Sequence, residues 1–122
     1  MASRWRPSLI WSGVILVLTS WPSPRIGVDV SGADKVVHFG IYGILGVLVS
    51  RALAPPRTRV DLLAALAGMT VFAMLDELHQ NWIPGRDASV ADWAADLLGA
   101  TVGLVLAHHL LSSARERLDP LT

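Results

Sequence analysis

Cysteine is missing from this chain, which excludes disulfides, a thiolate nucleophile and any thiolate metal site. Charge is scarce: Asp, Glu, Lys and Arg make up only 16% of the residues and cancel to a net charge of zero. No basic run with interleaved aromatics occurs, so a nucleic-acid partner has no electrostatic footprint here. Internal repeats and low-complexity tracts are absent as well, as are an H-E-x-x-H metal signature and a serine nucleophile elbow. What fills the 122 residues is apolar side chain, 52% of the total, with a mean hydropathy of +0.50. That balance points to a bilayer as the solvent, and the length to one domain.

Apolar segments fall in blocks at Leu9–Trp21, Val36–Leu53, Leu62–Leu75 and Val90–Leu111. The first is short, but Trp5, Trp11 and Trp21 are residues that favour membrane interfaces and extend it to a crossing. The third must continue into DELHQ to approach the about 20 residues a spanning helix needs. WPSPRIGVDVSGAD, APPRTR and NWIPGRDAS separate the blocks with proline and polar residues that stop helices. The sequence therefore predicts an all-α, integral membrane four-helix bundle, one domain over residues 1–122, with helices at about 5–21, 36–53, 60–80 and 90–111. Arg4 and Arg6 before an apolar run also fit a secretory leader, but the run ends in Trp-Pro-Ser-Pro without an A-x-A-like cleavage site, which favours a retained helix. A soluble bundle fits less well, because the second and fourth blocks keep too few polar positions to cover a water-facing side.

Arginine and lysine set the orientation. Arg4, Arg6, Arg51, Arg57, Arg59, Arg115 and Arg117 fall at one end of the predicted helices, against Arg25, Lys35 and Arg86 at the other. The positive-inside rule then places both termini and the APPRTR loop in the cytoplasm of a bacterial cell, and the stretch DELHQNWIPGRDASVADWAAD outside.

That stretch, residues 76 to 96, holds Asp76, Glu77, Asp87, Asp92 and Asp96, half of the chain's ten acids. Asp34, His38 and Tyr42 recur every fourth residue at the head of the second helix and form one stripe. Asp76, Glu77 and Gln80 fall within roughly 100° of one another on the third, with His79 to one side. On the fourth, Asp92, Asp96, Gly99 and Gly103 share a face, and the glycines admit a close backbone, turning both aspartates into the bundle. An ionised side chain at a helix centre costs about 2.5 to 3.5 kcal/mol on insertion scales, so such a gathering needs cations, protons or water. Lys35, Arg86 and the histidines are the nearby cations, too few for every acid.

The pairing of DKVVHFGIYGILG with DELHQNWIPGRDASVADWAADLLGATVG resembles the VanZ-like family of small membrane proteins, over about residues 34 to 103. The family pattern falls on Asp34, Lys35, His38, Phe39, Tyr42, Asp76, Glu77, Gln80, Pro84, Gly85, Arg86, Asp92 and Gly99. Where many relatives carry Asn, this chain has Asp96, which as a carboxylate accepts hydrogen bonds but cannot donate them. The resemblance implies a role at the cell envelope. The founding member is associated with low-level teicoplanin resistance that leaves the peptidoglycan precursor target unchanged, and most relatives have no assigned activity.

Several residues admit two roles. His38 either donates to a facing carboxylate or serves as proton acceptor or ligand. Arg86 is either an internal counterion or a bidentate grip for phosphate or carboxylate, while Pro84 and Gly85 form a tight turn. Ser89 or Asp87 caps the fourth helix, and His108 and His109 mark its cytoplasmic end. The function expected is binding of a polar or anionic group at the outer surface, such as a lipid-linked cell-wall precursor or a lipoglycopeptide, with no cofactor. Lys35, His38, Tyr42, Glu77, Gln80, Arg86 and Asp92 would touch the ligand, supported by Asp34, Asp76, Pro84, Gly85, Asp96, Gly99 and Gly103. The rival is a hydrolase in which a divalent metal on His38, Glu77 and Asp92 activates water against a phosphoester or amide. Proton passage is a third possibility, but the cytoplasmic halves carry no continuing acids.

Overall fold

The computed structural model describes residues 2–22, 31–53 and 57–118, so Arg25 and the Ala54–Pro56 part of the second connection lie outside the described residues. The described residues form helices α1 (Ala2–Thr19), α2 (Ser31–Ala52), α3 (Arg59–Gln80) and α4 (Val90–Leu118), with no strand among them. At about 1.5 Å per residue, the 22 residues of α2 or α3 measure about 33 Å, close to the hydrocarbon thickness of a bilayer.

Helix ends differ from the expected bounds where polar residues continue the helix. Helix α2 starts at Ser31 rather than near 36, with Asp34 in its first turn, where a carboxylate faces the unpaired N–H groups of the helix start. Helix α4 runs past 111 to Leu118, and Arg115 and Arg117 in its last turn face the exposed carbonyls. Helix α3 opens on a capping box: Asp61 N–H donates to Thr58 Oγ1 at 3.1 Å, and Thr58 N–H donates to Asp61 Oδ2 at 2.8 Å.

The bundle is built around α2 and α4. Gly43 and Gly46 on α2 meet Gly99, Ala100 and Gly103 on α4, so that a Cβ at Gly99 would overlap the Phe39 carbonyl and one at Gly103 the Gly43 carbonyl. Small residues let the two backbones touch, which is the packing open to helices that gain no hydrophobic drive from lipid. Helix α1 leans on α2 through Ile15, fully buried, and Trp11, whose indole N–H donates to the Ile41 carbonyl at 2.8 Å. Trp93 of α4 reaches α3 in the same way, donating to the Thr70 carbonyl at 3.5 Å. Ile15, Tyr42, Leu45, Val49, Met69, Ala73, Ala100 and Leu104 form the core.

Outside this core the usual distribution is reversed. Leu9, Ile10, Val17, Leu63, Leu98 and Leu110 are all exposed, whereas His38, Asp76, Glu77, Gln80, Asp92 and Asp96 are buried. Charged groups inside and aliphatic side chains outside suit a hydrocarbon surround. Gly32–Ala52 and Val90–Leu118 are long and apolar enough to cross a membrane. Helix α1 carries Arg4 and Arg6, and α3 carries Arg59, Asp61, Asp76 and Glu77.

Candidate functional site

Three helix ends and one turn build a polar centre. The C-terminal half of α3 points Asp76, Glu77 and Gln80 inward, the N-terminal half of α2 supplies Asp34, Lys35, His38 and Tyr42, and the start of α4 supplies Asp92 and Asp96. Between α3 and α4 the Arg86 N–H donates to the Ile83 carbonyl at 3.1 Å, and Gly85 has φ +80°. Proline then glycine at the middle of this turn are what a type II geometry requires, because only glycine takes that φ without strain. Asn81 Oδ1 braces the loop by accepting from Ala88 N–H at 2.7 Å, and Ser89 Oγ caps α4 by accepting from Asp92 N–H at 3.2 Å.

The centre has two layers. In the deeper one Asp76 accepts from Thr19 Oγ1 at 2.6 Å and from the Tyr42 hydroxyl at 2.9 Å, tying α1, α2 and α3 to one carboxylate. Tyr42, expected among the ligand contacts, is fully buried there, and its hydroxyl meets Asp76.

His38 organises the outer layer. Its Nδ1 lies 2.8 Å from Asp96 Oδ1 and 3.6 Å from Glu77 Oε1, while Nε2 lies 3.9 Å from Asp34 Oδ1. With Asp96 ionised, Nδ1 must carry the proton, since a carboxylate only accepts; in the neutral ring Nε2 then holds a free lone pair on the Asp34 side. Glu77 accepts from Gln80 Nε2 at 3.1 Å and from Ser89 N–H at 3.0 Å. Gln80 Oε1 in turn accepts from Arg86 Nη1 at 3.1 Å, and Arg86 Nε donates to the Trp21 carbonyl at 2.9 Å. Lys35 Nζ lies 3.4 Å from Asp92 Oδ1. Each basic group of this layer thus meets an acceptor of its own chain.

Two expectations change. Among the described residues, the ligand-type atoms that lie within 4.8 Å of one another form two sets, Asp34–His38–Asp92 and His38–Glu77–Asp96, rather than His38–Glu77–Asp92. The reason is that the two nitrogens of one imidazole face opposite ways, and Glu77 is held on the Nδ1 side by Ser89 and Gln80. Asp87 stays exposed in the loop, apart from the buried acids. His79, read from the helical period as lying to one side of Asp76, Glu77 and Gln80, is edge-on to Trp82 with ring centroids 6.4 Å apart.

Thr19, the Trp21 carbonyl and the Ser89 N–H belong to the network without any sequence signal. The first is an ordinary helix residue, and the other two are backbone groups that any side chain would supply.

Beside Glu77 a cleft of about 220 Å³ opens between α3 and the start of α4, lined by Met74, Leu78, Ala88, Val90 and Trp93. Polar centre and apolar cleft therefore adjoin at one carboxylate.

A helical bundle with an aliphatic exterior and a buried acid–histidine centre at one end is a membrane protein. The VanZ/LLP1 family model matches residues 3–112, and the chain belongs to that family. Neither a search of curated proteins nor one of solved structures gives a match.

Proposed function

We propose that the chain crosses the bacterial cytoplasmic membrane four times with both termini in the cytoplasm, and that its polar centre holds the hydroxyl- and amide-bearing head of an amphiphile at the outer surface. A lipid-linked cell-wall precursor and a lipoglycopeptide both have such a head joined to an apolar tail. Supporting this is the abutment of the acceptor-rich centre on the cleft of Met74, Leu78 and Trp93 at Glu77. Carboxylates outnumber the fixed cations there, which suits a donor-bearing head better than a phosphate; Lys35 and Arg86 already face Asp92 and Gln80. Capture of a lipoglycopeptide at this surface would lower sensitivity to it without altering the wall precursor.

Calorimetric titration of the purified protein with teicoplanin and with a lipid-linked precursor tests the reading. Glu77→Gln and Trp93→Ala should each weaken binding of whichever ligand the parent takes by about tenfold or more, since each removes an acceptor or an apolar wall. Binding of neither ligand by the parent, or unchanged affinity in both variants, would overturn it.

Orientation is tested separately. Arg4, Arg6, Arg51, Arg57, Arg59, Arg115 and Arg117 belong to the helix ends remote from the polar centre, the distribution of a cytoplasmic face. In whole cells an impermeant thiol reagent should label Ala88→Cys and spare Ser113→Cys, both positions being exposed. The reverse pattern would turn the polar centre to the cytoplasm.

The hydrolase reading has its own support in the set Asp34–His38–Asp92, where Asp96 on Nδ1 would fix the ring with Nε2 toward a divalent ion. Metal bound in stoichiometric amount by the same preparation, and lost in Asp92→Asn, would favour it over binding alone.

A further inference from the structure

At the end opposite the polar centre a second and larger cavity, about 510 Å³, runs between α1, α2 and α3. Its walls are Trp5, Leu9, Leu45, Val49, Met69 and Phe72, and its volume lies within the range of about 300 to 1,000 Å³ typical of ligand clefts. A polar group lies in its wall. Ser8 lines the cavity, is 3% exposed, and its hydroxyl has no hydrogen-bond partner.

The mouth is basic. Arg57 Nε donates to the carbonyl of Leu53, itself a lining residue, at 3.4 Å, and Arg4 adjoins the lining residue Trp5. Partial burial and the positive charges of Arg4 and Arg115 push the Arg57 pKa down, so Arg57 lies within the repulsive reach of other guanidiniums. Among the described residues no carboxylate forms an ion pair with any of them. Asp61, the acid at this mouth, accepts from the Thr58 N–H and hydroxyl instead. Mutually repelling arginines above an apolar cleft call for an anion attached to hydrocarbon, and basic pockets between membrane helices take anionic lipid headgroups.

We propose that this cavity is a binding site for an anionic phospholipid, with its phosphate on Arg57 and Arg4, its glycerol ester on the Ser8 hydroxyl and an acyl chain along Leu9, Leu45, Val49 and Met69. The site is separate from the polar centre and does not depend on what that centre binds.

The test uses the full chain, delipidated in detergent, with phosphatidylglycerol, phosphatidylcholine of the same acyl chains, and inorganic phosphate as probes, read by native mass spectrometry. Phosphatidylglycerol should bind at least tenfold more tightly than phosphatidylcholine, and inorganic phosphate should not displace it. Arg4→Gln and Arg57→Gln should each weaken phosphatidylglycerol about fivefold, the worth of one basic residue at an anionic surface, and weaken phosphatidylcholine less, because its choline cation offsets the same phosphate. Gly68→Leu places a side chain in open space on the cavity wall, so the protein should fold and lose both lipids. Equal binding of the two lipids would overturn the proposal, as would displacement by phosphate. So would undiminished phosphatidylglycerol binding in the arginine variants or in Gly68→Leu.

Discussion

Leucine at position 99 or 103 should abolish the folded protein. The wild-type glycines bring α4 against the α2 backbone so closely that even a Cβ would overlap the carbonyl of Phe39 or Gly43. A leucine adds further atoms on the same line, and its obstacle is main chain rather than a movable side chain. Overpacking of a flexible core costs about 1 to 3 kcal/mol, and a clash with backbone exceeds that because two helices must separate to relieve it. Separation would also pull Asp96 away from His38, which sits one turn before Tyr42 on the same helix. Gly13→Leu supplies the control, since a Cβ there meets nothing within 4 Å. Thermal unfolding in detergent should show Gly13→Leu melting with the parent, while Gly99→Leu and Gly103→Leu yield little monodisperse protein. Parental melting of Gly103→Leu would mean that α2 and α4 do not pack in this way.

The second large effect is expected at His38. Replacing it with alanine leaves Asp96, fully buried, without the Nδ1 group 2.8 Å away, and leaves Glu77 facing the same space. Breaking a buried pair from one side costs about 3 to 5 kcal/mol, most of it the unpaired charge that remains. Asp96→Asn should relieve that burden. Alone it should be close to neutral, because the amide oxygen still accepts from His38 Nδ1 and a buried charge is removed. In the His38→Ala background it should restore much of the lost stability, the remainder being the cavity left by the ring. A double-mutant cycle on unfolding midpoints measures this coupling. Strict additivity of the two changes would show that the imidazole and the carboxylate do not act as a pair. A marked loss of stability in Asp96→Asn alone would instead show that the negative charge itself is needed beside His38.

Much of this molecule follows from the order of its residues. Apolar blocks long enough for helices, punctuated by proline and polar connections, determine an all-α bundle, because lipid offers the backbone no hydrogen-bond partners and helices satisfy their own. The helical period places Asp92, Asp96, Gly99 and Gly103 on one face, and the cost of charge in hydrocarbon dictates that the face turns inward. Pro84-Gly85 determines its turn locally, because one residue must take a positive φ.

Partnership is another matter. That Asp76 is held by Thr19 and Tyr42 rather than by a cation, that Glu77 takes a backbone N–H of Ser89, and that Arg86 ends on the Trp21 carbonyl are decided by how the helices are rotated and offset against one another. A period of 3.6 fixes each residue's angle about its own helix axis and is silent on the neighbouring axis. The same holds for His38, whose chemistry as donor or ligand depends on which ring nitrogen meets which helix: Asp96 and Glu77 lie on the Nδ1 side, and Asp34, from its own helix, on the Nε2 side. The chain order placed Asp34 one turn from the histidine on the same helix; only the way α3 and α4 meet α2 put Asp96 and Glu77 on its other nitrogen.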